Sequence, residues 1–214
     1  MKDQPEITPS MLLYAYASGV FPMAESADSD EILWIDPEKR GVIPLEHLHI
    51  SGSLKKLLKS NRYSISVDQY FEPVLRACAD RAETWINPQI FDLYLELHEM
   101  GYAHSVEVLE NGELVGGLYG VSIEGAFFGE SMFSSQPSAS KIALVALVAR
   151  LKAGGFFLLD TQFITPHLES MGGVEITKAA YRARLEIALQ KDADFGRFQF
   201  SDTASIWQVM TQIS

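Results

Sequence analysis

The 214-residue sequence is poor in cysteine, in long apolar runs and in positive charge. Its one cysteine, Cys78, excludes an internal disulfide and is typical of a reducing compartment. No stretch approaches the ~20 apolar residues that a membrane-spanning helix needs. The first ten residues, MKDQPEITPS, lack the basic and then apolar order of a signal peptide. These absences predict a cytoplasmic protein.

Lysine and arginine together number 17 against 28 aspartates and glutamates, so the net charge is −11. Because Lys and Arg make most contacts to phosphate, this charge excludes a broad basic surface for nucleic acid but not a local one. Two clusters of basic residues, at 55–62 and 178–184, are each more typical of a solvated helix face than of a phosphate site. The acidic balance favours a cationic partner.

Histidine is scarce as well, with five residues. His47 and His49 form the only close pair, and their spacing around one apolar neighbour does not fit a metal site. The five histidines form no pattern of a catalytic triad either. We therefore expect no metal site.

The segment before residue 60 is extended and rich in turns, whereas the later sequence has regular periodicity. This change predicts a small N-terminal α/β domain at 1–60 and a main domain at 61–214. In the main domain, Asn87-Pro88 predicts the start of a helix and Asn111-Gly112 predicts a β-hairpin. An apolar helix over 139–151 precedes a strand over 156–162. The order predicts an α+β fold, a mixed sheet flanked by helices.

Three polar residues lie within this apolar frame: Glu130, Asp160 and Gln162. A buried carboxylate needs a partner, and residues 160 and 162 share one face of a strand. This arrangement indicates a functional site, although Asp160 could instead only cap the loop before Thr165. The pair Gly116-Gly117 indicates either a bulge or the close approach of a ligand.

The sequence resembles one known family along most of residues 11–185, the bacterial leucyl/phenylalanyl-tRNA–protein transferases. The resemblance is carried by AYASGVFPM, LWIDP, HSVEV, LVGGLYGV, FFGESMFS, ASK, DTQF and HLESMGGVEI. It implies a main domain with the N-acetyltransferase (GNAT) fold and a reaction without metal or coenzyme. The implied reaction moves Leu or Phe, and sometimes Met, from aminoacyl-tRNA to an N-terminal Arg or Lys, which marks the acceptor protein for N-end-rule degradation.

The resemblance also implies roles for individual residues. Asp160 and Gln162 match the family's catalytic strand motif, Glu130 matches its GESMF carboxylate, and Trp34 and Trp85 match positions near the terminal adenosine of the tRNA. The family's apolar amino-acid pocket falls on Leu118, Phe127, Leu144, Leu147 and Leu159. One departure is Met23, which stands where many members have Trp.

An aminoacyl ester is already activated, so forming the amide needs positioning and proton handling and no ATP. Our hypothesis is that Gln162 orients the acceptor amine through its carbonyl oxygen, since a neutral amide is no ordinary base. Asp160 would polarise it or relay charge behind it, and Glu130 would bind the cationic acceptor side chain.

Two other classes of function stay open. A coenzyme A-dependent N-acetyltransferase would need a glycine-rich loop for the pyrophosphate, and SSQPSASK at 134–141 has no glycine. A non-catalytic module that binds basic N-termini would use Glu130 and Asp160 only as a trap for cations.

Overall fold

The computed structural model describes residues 7–29, 31–81, 84–197 and 203–212. The helices are α1 (Pro9–Ala17), α2 (Gly52–Leu58), α3 (Phe71–Ala79), α4 (Pro88–Glu99), α5 (Ala139–Gly154), α6 (Pro166–Glu169), α7 (Lys178–Ala188) and α8 (Thr203–Gln212). The strands are β1 (Phe21–Ala24), β2 (Ile32–Ile35), β3 (Lys39–Val42), β4 (Ser64–Val67), β5 (Ala103–Glu110), β6 (Glu113–Ile123), β7 (Ala126–Ser134), β8 (Leu158–Gln162) and β9 (Val174–Thr177).

Seven of these strands form one mixed sheet in the order β4-β5-β6-β7-β8-β3-β9, and β1 pairs with β2 in a separate two-stranded sheet. All neighbours are antiparallel except β7 and β8, which α5 connects as a crossover. Helices α2, α5 and α8 pack on one face of the large sheet, and α1, α3, α4 and α7 on the other. The predicted α+β fold with a mixed sheet flanked by helices is confirmed.

Local sequence signals account for the elements that were predicted most closely. Asn87 accepts a hydrogen bond from the Ile90 amide and caps α4. Asn111 and Gly112 have φ of 53° and 84°, the left-handed pair that a tight hairpin turn requires, and they join β5 to β6. Helix α5 is buried on nearly every face, as its apolar sequence predicted. No helix of the described ranges is long and apolar enough to cross a membrane.

The two glycines of β6 make room for helices. A Cβ at Gly116 would lie 2.5 Å from the Cβ of Ala139, and one at Gly117 would lie 3.0 Å from Val74. The first residue of α5 and a side chain of α3 thus press directly on the sheet here. The approaching groups are parts of the protein's own core.

The N-terminal segment contributes to both sheets. Strands β1 and β2 stand apart, but β3 lies inside the seven-stranded sheet and pairs with β8 and β9. The boundary near residue 60 stays a prediction. The strands β1, β2, β3 and β9 were not predicted, because four residues are too few to show a clear periodicity. Helix α8 was not predicted either.

Candidate active site

A cavity lies where β7 and β8 stop pairing. Their backbone register covers only Ala126–Phe128 against Leu158–Asp160, although β7 runs on to Ser134 and β8 to Gln162. The cavity, of about 820 Å³, is lined by these unpaired ends and by helix residues from both faces of the sheet. The gap between the two strands therefore joins an apolar side, against α5, to a polar side, against α3.

Asp160 lies behind this cavity in a fully buried ion pair with Arg40. The side chains are 0% and 1% exposed, and Nη2 of Arg40 is 2.6 Å from Oδ2 of Asp160. Arg40 also donates through Nε to Oδ1 at 3.0 Å, and Tyr181 Oη donates to Oδ2 at 2.7 Å. Burial acts to lower the pKa of Arg40, but the adjacent carboxylate outweighs this and raises it. The charge of Asp160 is thus compensated within the protein.

The guanidinium of Arg40 has further partners that fix its position. Nη1 donates to the carbonyl oxygen of Gly19 at 3.1 Å. The rings of Phe21 and Tyr181 each lie 4.5 Å from the guanidinium carbon. The carboxylate of Asp160 offsets the charge of Arg40, and the guanidinium nitrogens have hydrogen-bond acceptors. A buried ion pair with such partners can be accommodated in a protein core.

Asp160 fixes the backbone of Gln162. Its Oδ1 accepts a hydrogen bond from the Gln162 amide N–H at 2.7 Å. Gln162 has a φ of 62°, a left-handed conformation that only a few per cent of non-glycine residues adopt. The Gln162 side chain then donates from Nε2 to Oε2 of Glu130 at 2.9 Å. Its carbonyl oxygen is the atom left to accept a hydrogen bond from an amine.

Glu130 is the second carboxylate of the site, and its partners are neutral. Oε1 accepts from Tyr16 Oη at 2.6 Å, and Tyr16 Oη in turn shares a short hydrogen bond with Tyr94 Oη. Burial raises the pKa of Glu130 to about 7, with a smaller contribution from the charge of Asp160, although the hydrogen bonds from Tyr16 and Gln162 oppose the rise. A carboxylate with this pKa can exchange protons at neutral pH.

Four of the five predicted apolar pocket residues border the cavity on its α5 side: Leu118, Leu144, Leu147 and Leu159. Phe127 is fully buried in the same core and stacks on Phe195 with ring centres 5.4 Å apart, outside the described wall of the cavity. The cavity therefore has an apolar end next to its polar pair.

The two predicted tryptophans lie in different places. Trp85 borders the cavity, as does Met23. Trp34 is 40% exposed and lines a separate groove of about 450 Å³ against α1, together with Met11 and Tyr14. In the β1–β2 pair Met23 is opposite Leu33 and Trp34 is opposite Pro22, so Trp34 and Met23 belong to opposite faces.

Four residues that complete the site were not predicted from the sequence: Arg40, Tyr181, Tyr16 and Tyr94. The tyrosines lie on helices α1, α4 and α7, where nothing in the local sequence distinguishes them from core aromatic residues. Arg40 lies in a stretch without periodicity, 120 positions from its partner. The available signal was indirect, because a buried Asp160 demands a cation somewhere in the chain.

Two protein-family models match this chain and decide its family. The family model described as leucyl/phenylalanyl-tRNA protein transferase matches residues 42–186, and the model of the same family's N-terminal domain matches residues 5–38. The chain belongs to the leucyl/phenylalanyl-tRNA–protein transferase family. The resemblance seen in the sequence motifs is thereby confirmed.

Relatives with that name are similar over nearly their whole length. A transferase of Ruegeria sp. is 60% identical over 88% of this chain and 90% of its own. One from Cereibacter sphaeroides is 54% identical over 98% and 99%, and one from Paramagnetospirillum magneticum is 57% identical over 89% and 93%. Among solved structures, a C-terminal DUF2156 domain from Agrobacterium fabrum covers 85% of this chain and 62% of that one, but at a TM-score of 0.42 and 10% identity it carries no argument.

The described residues contain no group of three or more His, Cys, Asp or Glu side chains that could hold a metal ion.

Every residue discussed at the site lies within the ranges that the two family models match, 5–38 and 42–186, except Arg40 and Phe195. Arg40, which holds Asp160, is one of the three residues between the two ranges.

Proposed function

We propose that the protein transfers leucine or phenylalanine, and with lower efficiency methionine, from aminoacyl-tRNA to the α-amine of a protein that begins with Arg or Lys. The acceptor is thereby marked for N-end-rule degradation. Membership of the transferase family supports the reaction. The observation that carries the site is the cavity in which the Glu130–Gln162 pair faces an end lined by leucines.

The reaction needs no energy source beyond the ester. The amine nitrogen attacks the ester carbonyl, a C–N bond forms, and the C–O bond to the ribose breaks. Two protons must leave the α-ammonium group, whose ordinary pKa is about 7.7–8.0. We assign the first to Glu130, whose pKa of about 7 matches this task, while the second goes to the departing ribose oxygen.

Glu130 also provides the negative charge that attracts a basic N-terminal residue, because the charge of Asp160 is already offset by Arg40. The Gln162 carbonyl oxygen orients the amine by accepting one of its hydrogens. An N-terminal residue whose side chain has no positive charge would lack this additional attraction. That asymmetry supports the preference for Arg and Lys.

The four leucines of the cavity favour an apolar amino acid. Because a methylene or a branch changes transition-state binding by only about 1–3 kcal/mol, such a pocket prefers Leu and Phe but tolerates Met. Trp85, on the wall, offers a surface on which the terminal adenine stacks. We also propose that the main domain has the GNAT fold, for which the parallel β7–β8 pair, followed by the gap that holds the cavity, is the support.

The test uses the purified full-length protein with labelled Leu-tRNA and a peptide beginning with Arg. A matched peptide beginning with Gly is the control for the acceptor, and acetyl-CoA in place of Leu-tRNA is the control for the donor. We expect labelled Leu at the N-terminus of the Arg peptide alone. Binding of the Arg peptide without transfer would make the protein a recognition module, and acetylation would make it an acetyltransferase.

A further inference from the structure

We propose that Arg40 and Tyr181 are positioning residues of the transfer site, which hold the Asp160 carboxylate so that it fixes the backbone of Gln162. In this arrangement Asp160 acts on the conformation of Gln162 and does not relay charge to its side chain. The inference rests on the proposed function and assigns roles that concern the same site.

The contacts of Asp160 support a positioning role. Both carboxylate oxygens are used: Oδ1 accepts from Arg40 and from the Gln162 backbone, and Oδ2 accepts from Arg40 and Tyr181. The Gln162 side chain instead reaches Glu130. The route from Asp160 to the amide group therefore passes through the backbone of Gln162.

The strand geometry shows how Arg40 reaches this position. In the β3–β8 pair Gly41 lies opposite Gln162 and Val42 opposite Asp160, with a register shift between them. A Cβ at Gly41 would lie 2.7 Å from the backbone of Phe163 and 2.8 Å from Thr161 Oγ1. The absence of a side chain at residue 41 lets β3 approach the end of β8, which places Arg40 beside Asp160.

The backbone of Gln162 needs such support. A left-handed φ is unfavourable for a residue with a side chain and persists only where the surroundings enforce it. The hydrogen bond from the Gln162 amide to Asp160 closes this turn. Without a fixed carboxylate the residue would relax toward negative φ, and Nε2 would move away from Glu130.

Removal of Asp160 alone cannot separate the two roles, because it leaves Arg40 as a buried and unpaired charge. The decisive variant is the double substitution Arg40→Met with Asp160→Asn. It removes both charges together, and a neutral asparagine needs no cation to stay buried. Tyr181 Oη can still donate to it, and its Oδ1 can still accept the Gln162 amide hydrogen. A positioning role predicts that its kcat exceeds that of Asp160→Asn by tenfold or more. A charge relay predicts that both are equally inactive.

The full set is Arg40→Met, Asp160→Asn, the double variant and Tyr181→Phe, with Lys39→Met as the matched control. Lys39 lies in the same strand but pairs with Glu175 at the surface. For each we would measure kcat and KM for Leu-tRNA, the pH dependence of kcat, and Tm. We expect kcat to fall at least tenfold in Arg40→Met and several-fold in Tyr181→Phe while KM changes less than threefold, since the apolar wall is intact. Lys39→Met should keep the wild-type kcat.

A crystal structure of each folded variant gives a readout that does not depend on activity. We expect the 2.9 Å contact between Gln162 and Glu130 to be lost in Arg40→Met and kept in the double variant. An intact contact in Arg40→Met, or a folded double variant no more active than Asp160→Asn, would overturn the proposal. If the wild-type protein transfers nothing, the proposed function fails, while the structures still decide what Arg40 positions.

Discussion

The carboxylate of Glu130 accepts a hydrogen bond of 2.9 Å from the side-chain amide of Gln162, although the two residues are 32 positions apart and lie on strands that no longer pair at this point. The bond spans the gap between β7 and β8, next to the cavity. It couples the group proposed to accept a proton to the group proposed to hold the amine. A disturbance of either should affect the other.

The pH dependence of transfer should reflect Glu130. Its pKa is raised to about 7, mainly by burial, and only the deprotonated form can accept a proton. We therefore expect kcat to rise with pH through an apparent pKa near 7. Glu130→Gln should lower kcat by about 10²–10⁴-fold and remove this limb of the profile. Single-turnover rates between pH 5.5 and 8.5 test this, and an unchanged limb in the variant would exclude Glu130 as its source.

Stability should respond to the same group with a definite sign. The pKa of Glu130 is 4.5 as the ordinary value and about 7 in the fold, so between these values the folded state binds more protons than the unfolded one. The free energy of unfolding then falls as pH rises through this window. Urea unfolding at pH 5 and pH 7.5 should show a smaller fall for Glu130→Gln than for the wild type. An equal fall in the free energy of unfolding for both proteins would mean that Glu130 titrates near its ordinary pKa.

Gln162→Ala should lower kcat by about 10–100-fold because the amine loses the acceptor that orients it. KM for Leu-tRNA should change little, since the leucine wall is untouched. Gln190→Ala, which changes an exposed glutamine in the turn after α7, is the control and should behave as the wild type. Initial rates over a range of Leu-tRNA concentrations separate the two parameters. A rise in KM with constant kcat would instead make Gln162 a binding residue only.

Leu147→Phe should narrow the apolar end of the cavity. We expect kcat/KM to fall more for Phe-tRNA than for Leu-tRNA, by about 10–200-fold in their ratio, because the larger side chain loses its space. Overpacking itself destabilises by about 1–3 kcal/mol. Leu151→Phe, one turn further along α5 in the same core, provides the matched control, with a similar loss of stability but no change in the ratio. Competition between Leu-tRNA and Phe-tRNA measures the ratio of their kcat/KM values directly.

Trp85 and Trp34 should differ in their effects. Trp85 borders the cavity, so Trp85→Ala should weaken binding of Leu-tRNA by about 1–3 kcal/mol, the range for loss of one base stack. Trp34 lies in the second groove, and Trp34→Ala should have the smaller effect. Fluorescence titration with a non-hydrolysable aminoacyl-adenosine analogue tests both. The reverse order would place the adenosine in the groove beside α1.

Local chemistry made part of this structure predictable. Asn87-Pro88 and Asn111-Gly112 determine a helix start and a turn through their own backbone preferences, and the structure has both. Glu130 and Gln162 were singled out in the sequence because polar residues in an apolar frame need partners. Their contact with each other follows from the separation of β7 and β8, which no local pattern encodes.

The parts that were missed depend on contacts distant in sequence. Arg40 comes to Asp160 only because β3 inserts beside β8, and neither the short strand nor its arginine shows periodicity. The role of Trp34 near the adenosine stays a prediction, and the register of the β1–β2 pair places its side chain on the face opposite that of Met23. Phe127 belongs to the same core cluster as the four leucines of the cavity. It stacks on Phe195 and does not line the cavity itself.

The insertion of β3 has a consequence for how the enzyme is built during synthesis. Strand β8 has β7 on one side and β3, from the first fifth of the chain, on the other. A fragment beginning at residue 61 would contain Asp160, Gln162 and Glu130 yet lack both the guanidinium and the Tyr16 phenol that complete them. Catalytic competence should therefore emerge late in folding, when the earliest-made segment returns to close the edge left open by the last-made half.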